Sequence, residues 1–250
     1  MQTGDNVLIG GFIITGSDQK QVLLRAIGPS IQVNGTPLAG RMADPTLQLR
    51  DSNGVLIRSN DNWKDSSDRA QIEASGLAPT DDRETAIIRT LAPGAYTAIL
   101  RGANNSTGIA VVEIYDRSSG NSLLANISSR SFVETGDNAL IGGFIAGNHP
   151  GSTDILVRAR GPSIKNQLPN ALDDTTLELR DSNGALLASN DNWKDSPERT
   201  QIEGTGIPPS HDLESAIYRT VAPAQYTAIL RGKNDTTGVG VVEIYNIRSD

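Results

Sequence analysis

One feature limits this chain more than any other: it contains the same unit twice. Leu49-Arg50-Asp51-Ser52-Asn53-Gly54 runs on to Ser59-Asn60-Asp61-Asn62-Trp63-Lys64-Asp65-Ser66. The same course returns 130 residues later as Leu179-Arg180-Asp181-Ser182-Asn183-Gly184 and Ser189-Asn190-Asp191-Asn192-Trp193-Lys194-Asp195-Ser196. Thr3-Gly4-Asp5-Asn6 through Phe12-Ile13 recurs at an offset of 132 as Thr135 through Ile145, and Gly28-Pro29-Ser30 recurs at 133 as Gly161-Pro162-Ser163. Self-similarity of this length means two copies of one domain. The changes of offset put one added residue near 16–21 and three deleted residues between 31 and 44. Both places are read as loops, where such changes break no ladder hydrogen bond.

Within each copy, short β-branched runs are divided by Gly, Pro, Asn and Asp, the punctuation of an all-β sandwich. The expected fold is two tandem antiparallel all-β sandwich domains, residues 1–117 and 118–250, each with a short helical turn. Val7–Ile14 and Gln21–Ile27 are expected to form a first pair. Thr46–Arg50 alternates apolar and polar as a half-buried strand does, and Asn53-Gly54 suits the two positive-φ positions of a type I′ turn before Val55–Ser59. Ser196-Pro197-Glu198 offers an N-cap, a proline at the first helical position and a first-turn carboxylate. One or two helical turns are therefore expected over 66–76 and its copy, with Ile72 and Ile202 inward. Thr85–Leu91 and Tyr96–Arg101 meet at Pro93-Gly94, and Ile109–Tyr115 closes the repeat.

The segment between the copies is informative. Residues 118–122 read as a linker, but Leu123 to Val133 is too apolar for a tether and reads as the first strand of repeat 2. Ahead of Thr3, repeat 1 has only Met1 and Gln2, so its first strand is expected to be missing, leaving an unpaired edge or an exposed groove. A repeat motif directly after Met1 reads as a cut from a longer chain.

Composition excludes several partners. A net charge of −7 and a pI of about 4.9 argue against a nucleic-acid partner and against attraction to anionic membranes. No run is long and apolar enough for membrane insertion, and the absence of cysteine removes disulfides and thiolate metal sites.

The candidate sites gather at one end of each repeat. Asn60, Asp61, Asp65, Asp82 and Glu84, with Asn190, Asp191, Asp195, Asp212 and Glu214 in the second copy, are hard oxygen donors from two loops, the kind that calcium takes. Asx residues in such turns also bond their own backbone, which accounts for them without a metal. Trp63 and Trp193, beside Asn62 and Asn192, could stack on a sugar ring as a carbohydrate-binding site, or plug the core with the indole N–H on a carbonyl. Arg50, Arg89 and Arg101 recur as Arg180, Arg219 and Arg231, and Glu113 recurs as Glu243, which cross-strand Arg–Glu pairing would explain. A catalytic site has no sequence signal: His149 and His211 are the only histidines, the copies share neither, and no nucleophile elbow or His-Glu-x-x-His is present.

Asp44-Pro45-Thr46-Leu47-Gln48-Leu49-Arg50-Asp51-Ser52-Asn53-Gly54, followed by Ser59-Asn60-Asp61 and Leu91-Ala92-Pro93-Gly94-Ala95-Tyr96-Thr97, resembles bacterial pre-peptidase C-terminal domains. The whole unit, with its Thr-Gly-Asp-Asn and Gly-Pro-Ser motifs, resembles the tandem repeats of large exported bacterial proteins. These resemblances imply a secreted β-sandwich, extracellular or at the cell surface, with bound calcium in some relatives. They imply a jelly-roll-like form for the sandwich. With no catalytic signal, the chain itself reads as a non-catalytic structural or adhesive module whose partners are neighbouring repeats or copies of itself, self-associating by strand complementation. Surface polysaccharide is the alternative partner, through the tryptophan loops.

Overall fold

A computed structural model describes the chain except for residues 119, 148–150 and 248–250. The chain divides into two compact units, Met1–Ala125 and Asn126–Asp250. The division falls later than the expected 117/118 boundary, inside the connecting strand, because Leu124 packs against the core of the first unit.

In the first unit the strands are β1 (Leu8–Thr15), β2 (Lys20–Ile27), a two-residue ribbon of β3 (Gln32–Val33) and β4 (Thr36–Pro37), β5 (Pro45–Asp51), β6 (Leu56–Asn60), β7 (Thr85–Leu91), β8 (Gly94–Gly102) and β9 (Val111–Asp116). The order β1-β8-β5-β6 makes one sheet and β7-β2-β9 the other, all antiparallel. Strict alternation along β1 and β5 turns one face of each strand inward. Leu8, Phe12, Ile14, Leu47, Leu49, Ala98 and Leu100 thus meet Val22, Leu24, Ala26 and Ile87 across the sandwich. The expected β1–β2 pair does not form: β1 pairs with β8 and β2 with β7 and β9, so the chain crosses between sheets at 16–19.

The second unit repeats the two sheets with one strand more and, among the described residues, without the two-residue ribbon. After β10 (Leu123–Val133) come β11 (Leu140–Ala146), β12 (Thr153–Arg160), β13 (Thr175–Asp181), β14 (Leu186–Asn190), β15 (Ser215–Val221), β16 (Ala224–Gly232) and β17 (Gly238–Asn246). The sheets run β11-β16-β13-β14 and β15-β12-β17-β10. Asn126–Val133 of β10 pairs antiparallel with β17 from Tyr245 to Gly238. Among the described residues of the first unit, β9 ends its sheet with no strand in that place.

Local chemistry explains most turns. The hairpin at Asn53-Gly54 is not type I′, since only Gly54, at φ 77°, has positive φ. Gly54 N–H donates to Asp51 O, and the Asp51 carboxylate accepts from the N–H groups of Asn53 and Val55. The result is a turn over 51–54 followed by a glycine bulge, with the pairing register shifting between Leu49 and Arg50. The helical turns form within the expected stretches, α1 over Arg69–Ala74 and α2 over Arg199–Gly204, and each buries its isoleucine, Ile72 or Ile202. The expected start is corrected: Glu198, not Ser196, stands at the N-cap without a side-chain cap bond, and Pro197 precedes the helix because Ser196 and Pro197 are spent on the turn before it.

The first glycine of the repeated Gly-Gly is a packing requirement. A Cβ on Gly10 would stand 2.9 Å from Val112 Cγ1, and one on Gly142 would stand 2.9 Å from Val242 Cγ1. Contacts that close do not occur without movement, so a side chain at either glycine would push the two sheets apart at this edge.

Candidate functional site

The expected site residues lie at the end of each sandwich, yet most have a partner within their own unit. Glu84 and Glu214 are fully buried. Glu84 Oε1 accepts from the N–H of Gly28 at 3.1 Å, the N–H of Ser30 at 2.9 Å and the Ser30 hydroxyl at 2.6 Å. Glu214 Oε1 accepts from the N–H groups of Gly161 and Ser163, both at 3.0 Å. The repeated Gly-Pro-Ser motif is therefore the backbone cradle of a buried carboxylate. Its glycine is required as well, because a Cβ on Gly28 would meet Met42 O at 2.5 Å.

Asn60 and Asn190 stitch the strands. Asn60 Oδ1 accepts from Ala86 N–H and the Thr85 hydroxyl, Asn190 Oδ1 accepts from Ala216 N–H, and their amides donate to Asn62 O and Asn192 O. Asn62 and Asn192 donate in turn to Asp65 and Asp195. Asp82 pairs with Lys64 at 2.6 Å and Asp212 with Lys194 at 2.5 Å. Asp61 lines a shallow open trough with Asn60, Asn62, Asp65 and Ser59. Among the described residues, no three acidic or histidine side chains converge in a geometry that would hold a metal. In each unit the five oxygen donors expected as a calcium set have these separate local contacts, save Asp61, which lines the open trough.

The tryptophans take the second of the two roles open to them, the core plug with its indole N–H on a carbonyl. Trp63 and Trp193 are only 5% and 6% exposed, and their indole N–H groups donate to Asp81 O and His211 O, each at 3.2 Å. Trp63 packs with Leu23, Ile72, Ala86 and Ile88 under the helical turn, with the Lys64 ammonium over its ring at 5.6 Å. A ring enclosed in that way presents no open face for a sugar to stack on, so the two tryptophans plug the core.

The arginines also differ from expectation. Glu113 and Glu243 are held by Arg25 and Arg158, both at 2.6 Å, and not by the three repeated arginines. Arg25 also donates to Leu77 O and the Tyr115 hydroxyl, and Arg158 to Ile207 O and the Tyr245 hydroxyl. These clusters clamp the segment after each helix to the outer face of the sheet. Arg89 pairs with Asp68 and Arg219 with Glu198, while Arg50 and Arg180 brace their own hairpins. His149 lies outside the described residues, and His211 accepts from the N–H of Leu213.

Sequence reading missed one difference between the copies. In the second unit Lys233 Nζ sits 2.6 Å from Asp191 and 3.6 Å from Asp174. The same positions in the first unit are Asp61, Asp44 and, in place of the lysine, Ala103. Asp44 Oδ1 is buried without a hydrogen-bond partner, as are Asp174 Oδ1 and Asp191 Oδ1, so the copies differ in the cation and not in these oxygens. Burial raises the Asp44 carboxyl above the usual carboxylate range, and the charge of Asp61 raises it further. Burial also raises Asp174, but there the ammonium of Lys233 opposes it. The comparison of offsets at Asp44 and Ala103 would have exposed this asymmetry.

No protein-family model matches the chain, and no curated protein does. Among solved structures, the chain is similar to the major capsid protein P2 of bacteriophage PM2, at 11% identity and a TM-score of 0.23, over 99% of this chain and 94% of that one. It is also similar to a structure from Sulfolobus turreted icosahedral virus, at 10% identity and a TM-score of 0.25, over 97% of this chain and 86% of that one. Likeness at these scores carries no argument about what this chain does.

Proposed function

We propose that the chain is a non-catalytic extracellular structural module, a pair of β-sandwich repeats whose partners are neighbouring repeats or further copies of itself. The observation that carries this reading is the segment between the units. Residues 123–133 are strand, with Leu124 against the first core and Asn126–Val133 hydrogen-bonded to β17. A segment used in this way belongs to the fold of each repeat and is not a free linker. The polar residues common to both copies support the same reading. Glu84 and Glu214 fix turns, Asn60 and Asn190 fix strand ends, and Arg25 and Arg158 fix the helical segment. Repeats of this kind act through association, with adhesion at a cell surface as the setting that the sequence resemblance suggests. Light scattering over a wide concentration range tests the associative part. A mass rising above the 26.5 kDa of one chain is expected, and a mass fixed at that value throughout would contradict it.

A further inference from the structure

The second unit contains a strand that the first does not, and its pairing shows what would complete the first. In the second unit β10 covers β17, and there Val239 and Val242 are 0% exposed and Ile244 is 5%. The equivalent residues of the first unit, 130 positions earlier, are Ile109, Val112 and Ile114. Ile109 is 38% exposed and its neighbour Val111 is 43%, while Val112 and Ile114 are only partly buried against the core. The pairing itself is shorter: β9 spans Val111–Asp116, against Gly238–Asn246 for β17. Strand edges are normally blunted by charge, proline or a covering segment, and at Ile109 and Val111 this one presents apolar side chains to solvent.

We propose that the outer edge of β9 is an acceptor for one extended strand, donated antiparallel by another repeat of this type and carrying the alternation of Asn126–Phe132. The inference rests on reading the chain as a repeat that joins to other repeats. The register follows from the second unit, where Asn126 faces Tyr245, Ile127 faces Ile244 and Phe132 faces Val239. On the first unit the same donor would place Asn126 opposite Tyr115, Ile127 opposite Ile114, Ser129 opposite Val112 and Phe132 opposite Ile109. Ile127 enters the core beside Ile114, as it packs against the core of its own unit. Phe132, which packs with Val239 and Val241 in the second unit, covers Ile109 and Val111. Main-chain hydrogen bonds along the edge supply affinity, and the alternate side chains set the register.

The donor ends at Phe132 because the next place is filled. Met1 stands where Val133 stands in the second unit: its carbonyl accepts from Gly108 N–H at 3.3 Å, and its side chain packs against the first core. The following turns match as well, with Gln2 N–H on Asn6 O and Glu134 N–H on Asn138 O, each at 3.1 Å. A strand leading into Met1 therefore has the geometry of β10 leading into Val133.

The test is titration of the whole chain with a labelled peptide of sequence Leu123 to Phe132, followed by anisotropy and hydrogen exchange. Saturation at one peptide per chain is expected, with amides in 109–116 slowed about tenfold when nine-tenths of the chains are occupied, and those in 239–246 unchanged. A peptide carrying Ile127→Asp should bind about tenfold or more weakly, because the charge would enter the core beside Ile114. A second measurement joins the same segment directly ahead of Met1. That chain should no longer bind free peptide and should show the same protection at 109–116. Binding no better than that of a scrambled peptide, protection elsewhere, or undiminished binding by the extended chain would each overturn the proposal. Self-association through some other face would leave the wider reading standing while this one fell.

Discussion

Replacing Glu84 with alanine tests the buried carboxylate on which the first unit's Gly-Pro-Ser turn is built. The substitution removes the Oε1 that accepts from three donors, the N–H groups of Gly28 and Ser30 and the Ser30 hydroxyl, at 3.1, 2.9 and 2.6 Å, and the Oε2 that accepts a longer bond from Asp81 N–H at 3.4 Å. Leaving a buried donor unsatisfied costs about 1–3 kcal/mol. Among the three on Oε1 only Gly28 is a buried residue, so about 1–2 kcal/mol each is reasonable, or about 3–6 kcal/mol together. That is a large share of the roughly 5–15 kcal/mol by which domains are stable, and at about 4 °C per kcal/mol it lowers the melting temperature by about 15 °C. The assay is urea unfolding read by hydrogen exchange, with peptides of the two units followed separately. Residues 20–30 and 84–91 should lose protection first. Ser30→Ala alone should cost about 1 kcal/mol and add almost nothing on top of Glu84→Ala, because both remove the same bond. A loss below about 1 kcal/mol for Glu84→Ala, or full additivity with Ser30→Ala, would show that the carboxylate does not organise this turn.

Four further outcomes follow from the differences between the copies. Asp44→Asn should stabilise the first unit at neutral pH. A carboxyl raised in the folded state is penalised fully above its folded value and not at all below the unfolded value of 3.8, so the gain should vanish in unfolding measurements below that pH. Ala103→Lys should place an ammonium between Asp44 and Asp61 as Lys233 does for Asp174 and Asp191, raising the melting temperature and lowering the Asp44 pKa measured by NMR. Gly142→Ala should destabilise more than Gly10→Ala in parallel thermal melts, because Val242 and Ile244 are held under β10 while Val112 lies at an open edge and can yield. Chelation should leave thermal melting unchanged, since Asn60, Asp82 and Glu84 already have partners within the protein, and a clear fall in melting temperature would return those oxygens to a bound cation.

How far the fold was legible depended on whether a feature was local or non-local. Alternation along Thr46–Arg50 announced a half-buried strand, and Gly206, at φ 73°, marked the end of α2, although its start at Arg199 falls after the Ser196-Pro197-Glu198 motif. The missing first strand could be read by aligning the copies, since Leu123–Val133 has no counterpart ahead of Thr3. Strand pairing could not. Val7–Ile14 and Gln21–Ile27 are neighbours in sequence, but crossing the sandwich after β1 lets each face an opposite core wall. The hairpin at Gly54 was misread for a related reason: the Asp51 carboxylate, outside the Asn-Gly pair, chooses the turn. At the candidate site the residue types were right and their partners were not visible. Glu84 lies 56 residues from Gly28, and nothing near either announces that they meet. Nothing in the sequence singles out Arg25, since cross-strand pairing points Glu113 to Arg50, Arg89 or Arg101, yet it reaches Glu113, Leu77 and Tyr115 together.

Amide-resolved hydrogen exchange of the free chain tests the central claim, that the first unit is a sandwich lacking its closing strand, most directly. On β17, amides facing β12 and amides facing β10 both have ladder partners, so protection should run continuously over 239–245. On β9 only the amides turned toward β2 are paired, so protection over 111–116 should alternate, with the outward amides exchanging close to the rate of unstructured chain. Continuous protection across β9, equal to that of β17, would mean that the edge is already closed and would contradict the account.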